Sequence, residues 1–436
     1  MTAARTYPRT FPSRQSLSVF TLAAATALTI LPAHAQTLAE TVDLALRNQS
    51  SLKIGELQVL DQQAALQQAQ ARDGLTVALA GSGGRGHIDT PANVVFPQAG
   101  TNTMGMVSIE ANYPIYTAGR KEVGIAVAQA GLAAAESSVL DAQIQTRFTA
   151  IAIYCAIVRD QALLALARDT QQSLDRAVSD AQKRLNVGEV TKTDVAQASA
   201  QQAQGLATQT RTTSALIIDQ ARYRQLTGVD PVDLPTVLHP PAVPSSVQQA
   251  LNQMPTTPAL EAARQQLAQA EQQLALTKLE LSPTVSIQTY ASEQRNENFI
   301  NTQIGNYGIN LKASIPLLDG GANRANRQRA QVQVDLARER ISGLSQGLEQ
   351  RIRQDYAQYS ASQQQVAALD QTIVAAQLAL DTIRREIELG TRTTFDLLTA
   401  QRTLQDAQTQ KILNQQDQII AAYQLLADTG QLKQVQ

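Results

Sequence analysis

The chain has 436 residues, of which only 4% are aromatic and none is tryptophan, and its long segments are rich in Ala and Gln. This composition favours long helices over one thick globular core. A net charge of -1 offers no basic surface for nucleic acid, which excludes that class of partner. The single cysteine, Cys155, excludes an intrachain disulfide and is predicted to be a small buried hydrophobe.

The first 35 residues have the organisation of a secretory signal. A basic start is followed by an apolar run over 17–31 and by the small-residue box Ala33-His34-Ala35. The apolar run is shorter than the roughly 20 residues that span a bilayer. We therefore predict a signal peptide at 1–35, cleaved after Ala35. No later segment is expected to reach transmembrane-helix length, which leaves a soluble exported protein or a β-barrel.

Beyond the signal, the chain presents one pattern twice, with equivalent positions 202 residues apart, as at Gly188 and Gly390. In each copy a strand-like segment ends near a proline, and a long proline-free helical run follows. We predict two structural repeats packed with pseudo-symmetry. The first repeat is 36–241, with a helix at about 38–72, a β-hairpin at about 75–115 and a long helical hairpin at about 118–228. The second repeat is 242–436, with a helix at about 247–281, a β-hairpin at about 283–317 and a long helical hairpin at about 320–430.

The strand segments are predicted from a period of two. Apolar residues alternate with polar ones over 107–113 and again over 309–315, so each segment has one apolar and one polar face. Upstream partner strands are predicted near 75–81 and 284–291. Each chain would thus contribute four strands in two hairpins.

The long helical runs are predicted to fold back as coiled-coil hairpins. Apolar residues recur at alternating steps of three and four over 366–387, which indicates a narrow coiled-coil seam. After the first break, Thr191 can cap the returning helix, with Asp194 three residues further on. Thr393 and Asp396 repeat this arrangement after the second break. A glycine at each break suits the left-handed conformation that often ends a helix.

Alternating strands fit either a soluble sheet with one wet face or a transmembrane barrel with lipid outside and water inside. Alternation alone favours the soluble sheet. The rest of the chain reverses this preference, because no globular segment remains to cover the apolar face and the export signal permits an outer membrane. Four strands cannot close a barrel, since bacterial examples have about eight or more. A barrel would therefore need strands from several chains.

The pattern resembles the TolC family of outer-membrane efflux and secretion channels over essentially the whole exported chain. The resemblance lies in the strand-to-helix junctions 113–119 and 315–321 and in the tip segments 184–190 and 387–396. It implies a mostly α-helical homotrimer with a shared twelve-stranded outer-membrane β-barrel, continuous with a long periplasmic α-helical coiled-coil tunnel. It also implies an equatorial belt, formed here by shorter segments around Val229 to Pro244.

The resemblance assigns roles at the tips. Family members narrow their tunnel at the start of the last long helix, and Asp396 matches the first of two acidic positions there. The second position is Thr399, so a ring of three chains would carry half the expected charge. Arg392 matches a latch residue that contacts a Thr-Asp pair of the other hairpin, here Thr193 and Asp194.

Three further assignments concern the tips. Ile387 replaces a tyrosine that supports the latch in the family, so closure would be held less tightly. Helix capping is the alternative role for Asp194 and Asp396, and a solvated tip residue is the alternative for Arg392. The predicted adaptor-docking tips are Val187, Gly188, Leu389 and Gly390.

The expected function is an outer-membrane exit duct of a tripartite efflux pump or a type I secretion system, gated at its periplasmic tip. Implied partners are outer-membrane lipid, a periplasmic adaptor (membrane fusion) protein and an inner-membrane transporter of RND, ABC or MFS type. The alternative is a soluble periplasmic coiled-coil scaffold without a pore. No catalytic residue, metal or cofactor is predicted, because His87 and His239 of the exported sequence lack metal-ligand spacing.

Overall fold

The computed structural model describes residues 36–88, 100–295 and 303–432, so the predicted signal peptide lies outside the described residues. Within these ranges the chain forms eight α-helices, four β-strands and one short 3-10 turn at Met254–Thr256. The elements are α1 Leu38–Asn48, α2 Ser50–Ala71, β1 Thr76–Ile88, β2 Gly100–Tyr116, α3 Arg120–Asn186, α4 Lys192–Thr227, α5 Val247–Gln253, α6 Pro258–Lys278, β3 Thr284–Arg295, β4 Gln303–Ser314, α7 Ala322–Glu388 and α8 Thr394–Asp428.

The two long rods α3 and α7 have the same length and equivalent bounds. Each contains 67 residues, and each begins after a glycine in the left-handed region, Gly119 at φ 83° and Gly321 at φ 88°. At 1.5 Å per residue each rod is about 100 Å long. The returning helices α4 and α8 contain 36 and 35 residues. In both halves of the chain, shorter helices come first, two strands follow, and a long helix and its returning helix come last.

The helices predicted at 38–72 and 247–281 are each interrupted. The first breaks at Gln49, whose backbone is extended at ψ 116°, and Asn48 donates a hydrogen bond of 3.1 Å to the Leu226 carbonyl at the end of α4. The second breaks because Pro258 cannot continue a helix and holds the preceding Thr257 in an extended conformation. The predictions of single helices were wrong at these two places.

The four strands form one antiparallel sheet in the order β1-β2-β3-β4. The two predicted hairpins are therefore joined through β2 and β3, where Ile109 pairs with Ala291. In the register of all three pairs, odd-numbered residues lie on one face and even-numbered residues on the other, up to a register shift between Pro114 and Tyr116 at the end of β2. Strands β1 and β4 each have one paired neighbour among the described residues.

The two faces of the sheet differ in chemistry. Large apolar side chains of the odd face are exposed, including Leu79 at 76% and Ile309 at 71%. The even face is mostly polar, with Ser108, Glu110, Gln288, Asn310 and Lys312, and it also carries Met106, Tyr290 and Ile304. No described residue of the sheet is buried. The sheet thus lies away from the core of the chain, with both faces free.

The core lies at the middle of the rods. Tyr154, Ile157 and Tyr223 are almost fully buried between α3 and α4, and a neighbouring cluster joins α1, α3 and α8. The segment 229–246 forms neither helix nor strand and contributes Leu234 to this core. This segment includes the region where shorter belt segments were expected.

The coiled-coil seams join each rod to its returning helix. On α7, Ala376 and Leu380 pack with Leu404 of α8, which confirms the predicted seam. On α3, the seam includes polar Gln171, and Gly205 of α4 leaves the space for it, because a Cβ there would lie 2.6 Å from the Gln171 Oε1 atom. The steps of three and four therefore predicted the contacts correctly.

Both rods also contain a stretch long and apolar enough to cross a membrane by composition alone. The expectation that no later segment would do so was wrong. Half of the stretch in α3 is buried within the chain, whereas 11% of that in α7 is buried. Both rods meet these criteria because their coiled-coil seams are rich in alanine and carry few charges, as weakly apolar membrane spans do.

The sheet is fixed to the rods at a joint around Ser282. The Arg120 guanidinium, at the start of α3, donates to the carbonyls of Leu279, Glu280 and Ser282 at 2.7 to 2.8 Å. From α7, the Asn323 amide donates to the Thr277 carbonyl at 2.8 Å. Both rods therefore hold the same turn, which sets the direction in which β3 leaves the helices.

A group of acidic side chains is buried where α3, α7 and the end of α8 meet. Asp428 is 5% exposed and lies beside Asp355, and its carboxylate is 3.6 Å from the Arg351 guanidinium. Burial, with the adjacent Asp428 charge, raises the pKa of Asp355 to about 7, while Arg351 opposes the shift. Burial also raises the pKa of Asp141, which the Arg351 charge lowers and the Asp428 charge raises. One guanidinium therefore faces three carboxyl groups.

The contribution of Asp355 to stability should fall as the pH rises from about 4 to about 7, because the folded chain retains a proton on Asp355 that the unfolded chain releases near 3.8. Asp355→Asn should therefore be more stable than the wild type at about pH 8, and the difference should vanish at about pH 4. Thermal unfolding of the detergent-solubilised protein, followed by circular dichroism, measures both. Asp335→Asn, an exposed position of the same helix, is the matched control. A difference that does not change with pH would contradict the raised pKa of Asp355.

Candidate functional site: the two helical tips

The two hairpins end in turns of the same geometry. Gly188 and Gly390 adopt φ values of 79° and 74°, which glycine accommodates without strain. In the first turn the Glu189 N–H donates to the Arg184 carbonyl at 2.9 Å, and in the second the Thr391 N–H donates to the Glu386 carbonyl at 3.0 Å. These bonds close a Schellman-type helix end. The predicted left-handed glycines are therefore present at both tips.

Each returning helix begins with a capping box. The Thr191 N–H and hydroxyl both donate to one Asp194 carboxylate oxygen at 2.8 Å, and the Asp194 N–H donates back to the Thr191 hydroxyl at 3.3 Å. Thr393 and Asp396 repeat these bonds at 3.0, 2.9 and 3.3 Å. The predicted use of Asp in place of the usual Glu is confirmed.

Both capping carboxylates are held ionised. The Thr393 N–H and then its hydroxyl lower the pKa of Asp396 below its ordinary 3.8, and the Arg392 charge adds to this. The Thr191 N–H and hydroxyl have the same effect on the pKa of Asp194. Each tip therefore carries a fixed negative charge at neutral pH, on the first turn of its returning helix.

An exposed ion pair crosses each turn, with its charges in opposite order. In the first tip, Arg184 before the glycine pairs with Glu189 after it, at 3.0 Å. In the second, Glu386 before the glycine pairs with Arg392 after it, at 2.9 Å. Glu386 occupies the position equivalent to Arg184. Neither exposed pair contributes much stability, since such pairs are worth about 0–1 kcal/mol.

The structure does not bring the predicted latch residues together within one chain. The hydrogen bond of Arg392 goes to Glu386 of its own hairpin. Thr193 is exposed, and the Asp194 carboxylate bonds to Thr191. Glu386 was missed as the partner of Arg392 because the family resemblance assigned Arg392 to a pair of residues in the other hairpin. Opposite charges six residues apart across a glycine turn were the available signal.

The two hairpins pack side by side just above the tips. Leu398 of α8 is buried with Leu174, Ala181 and Ala198 of the first hairpin. This contact fixes the start of α8, and with it Asp396, beside the first hairpin. Thr399 is exposed, and its hydroxyl donates to the Phe395 carbonyl of its own helix at 2.9 Å.

The ends of the hairpins present an apolar surface to solvent, which we call the tip surface: Val187, Leu389 and Phe395. Val187 is 71% exposed, Leu389 78% and Phe395 57%. Val187 and Leu389 were predicted as docking residues, whereas Phe395 was missed. A large aromatic in the first turn of a capped helix, directly beside the capping Asp396, was the signal that could have identified it.

Comparison with known proteins gives this geometry its context. The model of the family described as "Outer membrane efflux protein" matches residues 41–229 and 247–431. The chain is 27% identical over 340 residues to the outer membrane efflux protein BepC of Brucella suis, covering 77% of this chain and 74% of BepC. It is 29% identical over 262 residues to the outer membrane protein TolC of Salmonella enteritidis, covering 57% of this chain and 53% of TolC.

Solved structures share the fold. The outer membrane protein VceC of Vibrio cholerae superposes with a TM-score of 0.78 at 20% identity, over 90% of this chain and 96% of VceC. The open state of the MtrE outer membrane channel of Neisseria gonorrhoeae gives 0.76 at 17% identity, over 90% and 88% of the two chains. The chain therefore belongs to the TolC-like family of outer membrane efflux proteins, channels of the outer membrane that extend into the periplasm.

Proposed function

We propose that three copies of the chain form an exit duct, which receives substrates from an inner-membrane transporter through a periplasmic adaptor. The observation that carries this proposal is the open four-stranded sheet, apolar on its odd face and polar on its even face. Lipid can cover the odd face, and water can fill the space beside the even face. The duct belongs to a tripartite efflux pump or a type I secretion system.

The apolar band has the dimensions of a membrane segment. The four strands contain 13, 17, 12 and 12 residues, and about 9–11 tilted residues cross the hydrocarbon core. Leu79, Ile109, Ala291 and Tyr307 lie side by side across all four strands on the odd face. Such a continuous exposed band is typical of a surface covered by lipid.

Strand pairing supports assembly. Edge strands in a bilayer need partners for their N–H and C=O groups, and β1 and β4 form the two edges of this sheet. Pairing of β4 of one copy with β1 of the next closes the barrel by a head-to-tail contact. Three copies supply the twelve strands of a TolC-like barrel. The number three rests on the family resemblance.

The helices support the same head-to-tail contact. Exposed apolar side chains follow two different edges of the helical layer, and neither edge is covered by another element that the structure describes. One edge carries Ile54, Leu57 and Leu60 of α2 with Ile217 of α4, and the other carries Val332, Leu336, Val374 and Leu378 of α7. Contact between unlike edges of neighbouring copies would continue the barrel as a helical tunnel.

The gate lies at the periplasmic tips in this proposal. Asp396 of three copies forms an acidic ring with Thr399 one turn deeper, and the ring favours cations. Arg392 exchanges its exposed partner Glu386 for the Thr193-Asp194 pair of another hairpin when the gate closes. The adaptor docks on Val187, Gly188, Leu389 and Gly390, where the apolar tip surface is exposed.

Arginine substitutions on neighbouring residues of β2 test which face meets lipid. Ile109→Arg should reduce the heat-stable oligomer in the outer membrane, because an Arg facing lipid costs about 2–4 kcal/mol at the midplane. Ser108→Arg, on the opposite face of the same strand, should assemble like the wild type. Unheated gel electrophoresis of the membrane fraction measures both. Equal assembly of the two variants would contradict the proposed orientation.

Removal of one tip charge tests the constriction. Asp396→Asn retains an oxygen acceptor for the cap but removes the charge, so the ratio of cation to anion permeability should fall in planar bilayers. Because the pKa of Asp396 is lowered from 3.8, the wild-type preference should persist until the pH falls below about 4. Asp194→Asn makes the same change at the equivalent cap, which the proposal places in the latch and outside the acidic ring, so the permeability ratio should stay unchanged. An unchanged reversal potential for Asp396→Asn would remove this residue from the pore.

The latch is tested by two substitutions with opposite expected effects. Arg392→Ser should raise the single-channel conductance, because the closed state loses its cationic contact. Glu386→Gln should lower the conductance or leave the pore shut longer, because Arg392 is then free for Asp194. If both variants shift the conductance in the same direction, Arg392 acts through its own hairpin and the latch assignment is wrong.

A further inference from the structure

The first described residue, Gln36, is held by four hydrogen bonds. Its backbone N–H donates to the Val232 carbonyl at 3.2 Å, and its own carbonyl accepts from the Tyr154 hydroxyl at 3.0 Å. Its side-chain Oε1 accepts from the Tyr223 hydroxyl at 2.9 Å and from the Val232 N–H at 3.2 Å. Its carboxamide nitrogen, Nε2, makes no hydrogen bond to any residue that the structure describes.

The backbone nitrogen and Oε1 of Gln36 therefore bond to the same residue. The N–H and C=O of Val232 face them as a donor and acceptor pair. In a five-membered lactam formed from Gln36, the ring N–H and ring C=O would also lie side by side. The lactam would retain every atom of Gln36 that is hydrogen-bonded here, and it would lose only Nε2.

The sequence places a new chain end at this residue. An outer-membrane protein must first cross the inner membrane, and the box Ala33-His34-Ala35 predicts cleavage immediately before Gln36. We propose that Gln36 is the first residue of the exported chain and is converted to pyroglutamate, which docks on Val232, Tyr154 and Tyr223. This inference rests on the predicted cleavage and is independent of the pore and its gate.

The reaction needs no partner molecule. The free amine of Gln36 attacks its own side-chain Cδ, so a bond from N to Cδ forms and the bond from Cδ to Nε2 breaks. One amine proton leaves with Nε2 as ammonia, and no group is oxidised or reduced. The Tyr223 hydroxyl and the Val232 N–H already donate to Oε1, where negative charge develops during the attack.

The surroundings suit an uncharged chain end. Tyr154 is 1% exposed and Tyr223 is fully buried, so a charged amine beside them would lose part of its hydration. Burial raises the pKa of Tyr154 to about 12 and raises that of Tyr223, so both hydroxyls stay protonated and able to donate. The lactam removes the terminal charge and keeps the N–H that Val232 accepts.

Mass spectrometry of the protein purified from outer membranes tests the proposal. Trypsin releases the peptide from Gln36 to Arg47, which should be lighter by one ammonia and should resist sequencing from its amino end. Cyclisation during handling is measured in the same digest, because cleavage after Arg224 and Arg353 creates peptides that begin with Gln225 and Gln354. The cyclised fraction at Gln36 should be close to complete and far above the fraction at these two controls.

Three results would overturn the proposal: a free amine on Gln36, a cyclised fraction no higher than in the control peptides, or a mature chain that begins elsewhere. A matched variant checks the chemistry. Gln36→Asn cannot form a five-membered lactam, so its first peptide should keep a free amine and all of its ammonia. Loss of ammonia from that variant would show that the mass change arises at another residue.

Discussion

The hydrogen-bonding requirement of a strand edge in lipid determines how this protein is built. A bilayer provides no water for unpaired N–H and C=O groups, and β1 and β4 are the two edges of the described sheet. With the sheet in lipid, as proposed, a single chain would therefore leave both edges unpaired. The same constraint reaches the helices, because Arg120 and Asn323 fasten both rods to the turn from which β3 leaves. Closing the barrel would consequently also set the rods side by side in a ring.

The interactions weaken from the middle of the rods towards the tips. The middle is held by nearly fully buried residues such as Tyr154 and Ile157, each worth several kcal/mol on truncation. At the tips, exposed ion pairs and capping boxes remain, of about 1 kcal/mol each. Local opening is expected where few apolar contacts are lost. The tips can therefore rearrange while the middle of the rods remains intact, as the proposed gate requires.

The local parts of the fold were predictable, because periodicity and capping depend on neighbours in sequence. The alternation over 107–113, the seam over 366–387 and the caps at Asp194 and Asp396 all belong to this kind. The pairing of β2 with β3 was missed, since no local pattern encodes a contact between segments about 180 residues apart. The raised pKa of Asp355 beside Asp428 was missed for the same reason. At the candidate site, the residue types indicated where the tips lie. The ion pair between Arg392 and Glu386 could not be predicted in this way, because it depends on the shape of the turn.

Cross-linking of the two sheet edges tests the central claim most directly. Cysteines are placed at Ala80 on β1 and, in turn, at Gly308, Asn310 and Lys312 on β4, all on the even face; native Cys155 is buried and does not compete. Within one chain these edges are about 14 Å apart, three strand spacings, which is too far for a disulfide. Oxidation in outer membranes should give covalent dimers and trimers on a non-reducing gel. A chain that stays monomeric with free thiols at every pair, or that is recovered as a monomer without detergent, would contradict the account.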